Sequence, residues 1–326
     1  MSGIIRIGTR DSQLAVWQAT LVQNLLKEKG VPSELVYIKS EGDIDTITPL
    51  YALGVTGIFT KALDAALLNN RVDIVVHSMK DVPTQLAQGI KQVAVLERAS
   101  YKDIFVAHPE LLSGIHFDKL KSEFSKRHEV PPTEEFGKAI VATSSIRRIA
   151  QWLNRYPKHR IENLRGNVNT RLRKLSESNW HGAIFAAAGL ERIGLRPENS
   201  INLDWMLPAP AQGAIMIVCR ENDEYSYQSC QTLNHEDTAL CTKIERDFLN
   251  TLMGGCSTPI SALAEIKNDQ VLFRGNICSR DGQLKAELEI QLEKENALTA
   301  GVRMANEILK QPSASKIVQD IRNAKK

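Results

Sequence analysis

The sequence predicts an α/β chain of two larger units followed by a small α+β unit. Three observations carry this. The run Val72-Asp73-Ile74-Val75-Val76-His77-Ser78-Met79-Lys80-Asp81-Val82-Pro83 sets β-branched residues in an unbroken apolar stretch, as a parallel strand covered on both faces requires, and then turns polar at once. A strand, a polar turn and an amphipathic helix recur along the chain, the alternation that builds open α/β sheets. Near the end, Leu284, Ala286, Leu288, Ile290 and Leu292 alternate with polar residues, as a half-exposed antiparallel sheet requires.

In chain order, the first strand falls at residues 4–8, and Leu14, Trp17, Leu21, Val22 and Leu25 follow at helical spacing. The turn between them, Thr9-Arg10-Asp11-Ser12, puts N-cap residues and an arginine at a helix start, whose open N–H groups favour anions. A second strand at residues 33–39 leads through a Gly/Asp-rich loop to a helix with Phe59, Leu63, Ala66 and Leu67 on one face. The 72–83 stretch comes next. Ligands in open α/β sheets sit at strand carboxyl ends, so Ser78, Lys80 and Asp81 lie where a site is expected.

Strands at residues 93–96 and 104–107 have no strong helix between them, which marks a hinge. Residues 108–138 are polar, contain Pro131-Pro132 and read as an exposed insertion. The theme then repeats: a strand at 139–142, the caps Thr143-Ser144-Ser145, and a helix carrying Ile146, Ile149, Ala150 and Leu153. A strand at 161–166 ends near Arg165, a helix carries Arg171, Leu172 and Leu175, and a strand at 183–186 runs on towards Arg192. The strand at 214–218 follows the loop 207–213 and returns to the first unit. The expected units are therefore 1–102 with 207–220, then 103–206, then 221–326. In the third, a helix with Leu240, Ile244 and Phe248 ends at Gly254-Gly255 before Cys256, and strands at 262–266, 271–278 and 284–292 precede a helix at about 297–309.

Composition sets limits. With 326 residues, 43% hydrophobic and 24% charged, the chain is of globular composition. No apolar run approaches a membrane span and no h-region opens the sequence, so a cytoplasmic protein without a membrane is expected. Five cysteines without Cys-x-x-Cys pairs indicate neither a disulfide framework nor a zinc site, and the histidines form no metal spacing. A net charge of +3, with no aromatics interleaving the arginines, fits nucleic acid poorly.

The charge that matters is local. Between Thr143 and Leu175 stand Arg147, Arg148, Arg155, Lys158, Arg160, Arg165, Arg171, Arg173 and Lys174 against one acid, Glu162. Arg155, Lys158, Arg160, Arg173 and Lys174 read as solvated helix faces. Arg10, Arg147, Arg148, Arg165 and Arg171 each follow an apolar strand and converge on one cleft, where guanidinium forks bind carboxylates or phosphates. Arg147 and Arg148 oppose the macrodipole at a helix start, which calls for a bound anion or another compensation. A polyanionic ligand between the two larger units follows. Asp81 is the exception, wasteful there unless the reaction creates positive charge or needs a proton carrier. Cys256, in a Gly-Gly-Cys turn, is accessible to a large electrophile as a mid-helix cysteine such as Cys241 is not.

Seven motifs in order resemble the porphobilinogen deaminase (hydroxymethylbilane synthase) family over nearly the whole chain. They are Gly8-Thr9-Arg10-x-Ser12-x-Leu14-Ala15, His77-Ser78-Met79-Lys80-Asp81-Val82-Pro83, Thr143-Ser144-Ser145-Ile146-Arg147-Arg148, Leu164-Arg165-Gly166-Asn167-Val168-x-Thr170-Arg171-Leu172, Ala188-Gly189-Leu190-x-Arg192, Leu207-Pro208-Ala209-Pro210-Ala211-Gln212-Gly213-Ala214 and Gly254-Gly255-Cys256-x-x-Pro259. The resemblance implies two type II periplasmic-binding-protein-like domains with mixed sheets and two hinge crossings, plus a small α+β C-terminal domain. It implies a transferase that joins four porphobilinogen molecules with loss of ammonia, building on a dipyrromethane cofactor held by a thioether to Cys256, before water releases the product. Asp81 is then the catalytic group. Lys80, Ser78, Thr143, Ser144, Ser145, Arg147, Arg148, Arg165 and Gly166 hold the cofactor, and Arg10, Ser12, Gln18, Phe59, Arg171 and Arg192 meet the substrate. A monomer is the family's expectation.

Two departures accompany the match. Many relatives carry a glycine- and lysine-rich lid where this chain has Ala52-Leu53-Gly54-Val55-Thr56-Gly57-Ile58-Phe59, and the 108–138 segment is longer than the family leads one to expect. The competing class is a two-domain anion-binding clamp without catalysis. The missing export signal argues against a periplasmic receptor, and a clamp has no need of Asp81 together with Cys256.

Overall fold

The structure is a computed structural model describing residues 3–39, 60–112, 115–124, 138–252 and 258–323. Its strands in order are β1 (Ile5–Thr9), β2 (Ser33–Tyr37), β3 (Ile74–Ser78), β4 (Ile90–Val95), β5 (Asp103–Ala107), β6 (Ile140–Ala142), β7 (Arg160–Glu162), β8 (Gly182–Ala186), β9 (Ser200–Asn202), β10 (Ile215–Arg220), β11 (Ile260–Lys267), β12 (Gln270–Cys278) and β13 (Lys285–Glu293). Two five-stranded mixed sheets, ordered β2-β1-β3-β10-β4 and β7-β6-β8-β5-β9, share one plan. In each, the first three strands are parallel and one antiparallel strand is inserted before the fourth. That inserted strand is the one the chain lays down on crossing between units: β5 on the way out, β10 on the return.

The apolar run of β3 reflects its central place. Alternation sends Ile74 and Val76 into a core with Ala19, Val22 and Leu26 of the helix Gln13–Glu28, while Val75 enters a second core with Leu63, Ala66 and Leu67 of the helix Lys61–Leu68. A strand covered on both faces has no polar side to show until it ends.

The two crossings touch. Ala99 N donates to Gly213 O at 3.2 Å, and Gly213 has φ +90° with no room for a Cβ, which would lie 2.6 Å from Ala99 O. The third unit grips both. Buried Glu245, on the helix Glu236–Thr251, takes Arg98 in a bidentate pair at 2.6 and 3.0 Å and accepts from the backbone N–H groups of Ala211 at 2.6 Å and Ala264 at 2.8 Å. Its three-stranded antiparallel sheet β11-β12-β13 turns at Asn268 and Asp269, both at positive φ, and packs on that helix through Phe248 and Phe273.

The helix Glu224–Gln231, expected in the third unit, packs with the first, since Cys230 lies in the core of Ile5 and Val22. Two expectations need correction. The 108–138 segment is not wholly exposed: the helix Ile115–Phe124 buries Leu120 and Phe124, and Phe124 meets Phe105 and Trp152 edge-on at 5.0 and 5.2 Å. Its apolar residues are too sparse to show periodicity. Two helices, Ala300–Ile308 and Pro312–Asn323, stand where one was expected, because the proline at an N-terminal helical position starts a helix instead of ending one. Among the described residues, no helix is long and apolar enough to cross a membrane.

Candidate active site

A cavity of about 760 Å³ opens between the two sheets at the carboxyl ends of their strands. Among the described residues, eight basic side chains line it (Arg10, Lys39, Lys80, Arg147, Arg148, Arg165, Arg171 and Arg192) against two acidic ones, Asp11 and Asp81. Asp11 stands exposed just before the helix Gln13–Glu28, where a carboxylate suits the dipole. Asp81 has no such role. It is exposed at the end of the three-residue turn Met79–Asp81 that follows β3, close enough to Lys80 and Arg171 to favour their charged forms.

Arg147 and Arg148 are buried, and the compensation the sequence called for is Asp103, at the start of β5 on the outward crossing. Arg148 donates to its Oδ1 through Nη2 at 2.7 Å and Nε at 3.1 Å, and Arg147 Nη2 lies 2.7 Å from Oδ2 without hydrogen-bond alignment. Gln212 donates to the same carboxylate at 2.9 Å, and the guanidiniums also meet the carbonyls of Leu207 at 2.6 Å and Ile184 at 2.9 Å. Burial alone raises a carboxyl pKa, yet the two arginines hold Asp103 well below the usual carboxylate range. One carboxylate against two guanidiniums leaves a positive excess. The buried Nε of Arg147 has no hydrogen-bond partner among the described residues, which suits a pair prepared for a further anion.

Lys80 is half-buried, and its Nζ donates to Gln212 Oε1 at 3.2 Å. Burial pushes its pKa down to about 8, with Arg148 and Arg147 acting in the same direction and Asp81 and Asp103 against it. A carboxylate bound beside Lys80 reverses that shift. Protein free of cofactor is therefore expected to take up protons when it binds a pyrrole dicarboxylate between pH 8 and 9. Calorimetry in buffers of different ionisation enthalpy reads this, and uptake of the same size in Lys80→Met would remove Lys80 as its source.

Arg171 donates from Nε to Gly166 O at 2.8 Å, and burial lowers its pKa to about 10. Gly166 has φ +114°, and a Cβ there would lie 2.7 Å from Thr170, so the Arg165 turn is closed only with glycine. Arg192, also lowered by burial to about 10, donates to Gly213 O at 2.7 Å, tying the cavity wall to the return crossing. Arg10 and Ser12 lie together at the start of the helix Gln13–Glu28, 3.5 Å apart through Nη2 and Oγ. Thr143 Oγ1 accepts from Ser145 N at 3.3 Å, and Ser145 caps the helix Ile146–Arg155 without a side-chain cap bond.

Two expected ligands have other work. Gln18 is buried, does not line the cavity, and shares hydrogen bonds of 2.9 and 3.0 Å with Ser78, so it reaches the site only by orienting that hydroxyl. The hydroxyl of Ser144 lies 2.7 Å from Leu164 O and accepts from Leu164 N at 3.0 Å, so it braces the strand end that carries Arg165. Phe59, Cys256 and the 52–59 stretch lie outside the described residues. The other four cysteines are buried, with thiols pushed up to about 11 for Cys219 and about 12 for Cys230, Cys241 and Cys278. None of these four is poised as a thiolate.

Residues 5–228 match the family model for porphobilinogen deaminase, dipyromethane cofactor binding domain, and residues 239–310 match that for the porphobilinogen deaminase C-terminal domain. The chain is 39% identical over 324 residues to the porphobilinogen deaminase of Acidithiobacillus ferrooxidans, covering 98% of this chain and 99% of the relative. It is 42% identical over 289 residues to the chloroplastic porphobilinogen deaminase of Oryza sativa subsp. japonica, covering 86% of this chain and 75% of the relative. Among solved structures, the methionine binding protein MetQ overlays with a TM-score of 0.39 at 16% identity, over 70% of this chain and 89% of that one. The ancestral amino acid-binding protein AncCDT-1 overlays with a TM-score of 0.35 at 14% identity, over 71% and 87%. By the extent of both family models and the identity over almost its whole length, the chain belongs to the porphobilinogen deaminase family.

Proposed function

We propose that this cleft joins four porphobilinogen molecules head to tail with loss of ammonia, giving the linear tetrapyrrole hydroxymethylbilane for tetrapyrrole biosynthesis, with Asp81 as the catalytic carboxylate. The observation that carries the assignment of Asp81 is its position on the turn after β3, beside Lys80 and near Arg171, in a cavity lined by eight cations. Each porphobilinogen brings an acetate and a propionate, and Arg10, Ser12, Arg171 and Arg192 stand to receive them. Departure of ammonia, driven by the ring nitrogen lone pair, leaves an azafulvenium cation on the incoming unit. A carboxylate placed against it stabilises that charge and can take the pyrrole proton released when the new carbon–carbon bond forms.

The dipyrromethane group, when bound, supplies the pyrrole carbon to which the first unit is joined. Lys80, Arg147, Arg148 and Arg165 suit its carboxylates. Ser78, Thr143, Ser145 and Gly166 shape the same wall, Ser144 braces it, and Cys256 is the proposed thioether anchor. The reading also makes the enzyme a cytoplasmic monomer acting on a small molecule, with no nucleic-acid or membrane partner. One native and intact mass measurement checks the anchor and the oligomeric state together. A single 36.3 kDa chain carrying an excess of two linked pyrroles, absent in Cys256→Ser, is expected. An unmodified mass in a protein that binds dicarboxylates and consumes no porphobilinogen would favour the clamp.

A further inference from the structure

The Met79–Asp81 turn is too short to satisfy its own carbonyls. Met79 N is held by Ala214 O at 3.0 Å, and Val82 N returns to Met79 O at 3.2 Å, which leaves the far side of the turn to find partners. It finds them in the third unit. Arg246, on the helix Glu236–Thr251, donates from Nη1 to Val82 O at 2.9 Å and more distantly to Met79 O at 3.4 Å, and from Nη2 to Pro83 O at 2.6 Å. One helical turn further on, Asn250 Oδ1 accepts from Thr84 Oγ1 at 3.1 Å.

We infer that Arg246 is a positioning residue: its planar fork clamps the carbonyls on either side of Asp81 and so fixes that carboxylate relative to the third unit. The residue type suits the task, since a guanidinium presents divergent donors in one rigid plane whereas an ammonium offers a single point of attachment. The same helix ends at Thr251, five positions ahead of Cys256 in sequence. The element that grips the catalytic turn is thus the one that precedes the proposed anchoring cysteine in sequence. Arg246 touches main-chain carbonyls alone in the turn, so it acts through Asp81. The inference rests on the reading of Asp81 given above.

The test uses holoenzyme with its cofactor loaded, in Arg246→Met, Arg246→Lys and Asp81→Asn. A displacement of the reacting groups by about 1 Å costs on the order of a hundredfold, so kcat in Arg246→Met should fall about 10- to 100-fold. KM for porphobilinogen should stay within about threefold of the parent, because the carboxylate ligands are not touched. Arg246→Lys should recover part of the loss, and amide exchange in residues 79–82 should quicken in both variants while the cofactor-bearing mass is kept. Parent-like kcat in Arg246→Met overturns the inference. So does a loss shared by kcat and KM with a lowered melting temperature, if Arg246→Lys, folded and loaded, turns over like the parent with unchanged exchange. Asp81→Asn separates the two readings: if it turns over normally the assignment of Asp81 has failed, and if it is inactive while Arg246→Met is not, only the inference has.

Discussion

Asparagine in place of Asp81 is expected to lower turnover by about a thousandfold or more and to leave the fold intact. The change is nearly isosteric and removes one negative charge. Opposite unit charges about 4 Å apart attract by about 4 kcal/mol at an effective dielectric near 20, and a barrier raised by that amount slows a reaction by roughly a thousandfold. Loss of proton transfer adds to this. Stability should not follow, because the carboxylate is exposed and makes no hydrogen bond or ion pair with the described residues. The measurement is porphobilinogen consumption at saturating substrate, beside a thermal melt and an intact mass. Consumption near that of the parent would sink the catalytic assignment.

What the sequence disclosed and what it hid divide along a physical line. Local rules carried the strand ends: an apolar run that turns polar at Ser78, and arginines placed in the turns and helix starts that follow a strand, are visible because backbone periodicity fixes where the strands end. The two crossings were legible from the missing helix between β4 and β5 and from the return through the loop before β10. Asp103, Gln212, Glu245 and Arg246 were given no role since each works through a partner distant in sequence, which no local period discloses. Asp103 stands 44 and 45 residues from the arginines it neutralises, and Arg246 some 163 from Pro83. One signal was available for the first. Two arginines against a helix dipole demanded a countercharge, and an acid at the start of a buried strand, flanked by Lys102 and Ile104, was a candidate. Gln18 and Ser144 are bound by motif position to the site, and their hydrogen bonds add a bracing role, Gln18 on Ser78 and Ser144 on the strand end before Arg165, that no local pattern discloses.

The buried triad supplies the largest expected effect on stability. Asp103→Asn should destabilise the protein by about 3–5 kcal/mol, the usual cost of removing one partner of a buried ion pair and stranding the other. Here two guanidiniums, 5% and 7% exposed, lose the charge of their one carboxylate, and one of its two acceptor oxygens is replaced by a donor NH2. The sign of the pH dependence follows from the depressed pKa. A carboxyl held below its unfolded value stabilises the fold above that value, and the contribution is lost as pH falls through the folded one. The gap in urea midpoint between parent and Asp103→Asn should therefore be full at pH 7, begin to narrow near pH 4, where unfolded aspartate titrates, and continue to close at lower pH. Because the positive excess left around Arg147 and Arg148 grows by one, an added polyanion should recover more stability in the variant than in the parent. Equal midpoints at pH 7, or a gap that widens on acidification, would show that Asp103 does not hold the two arginines in place.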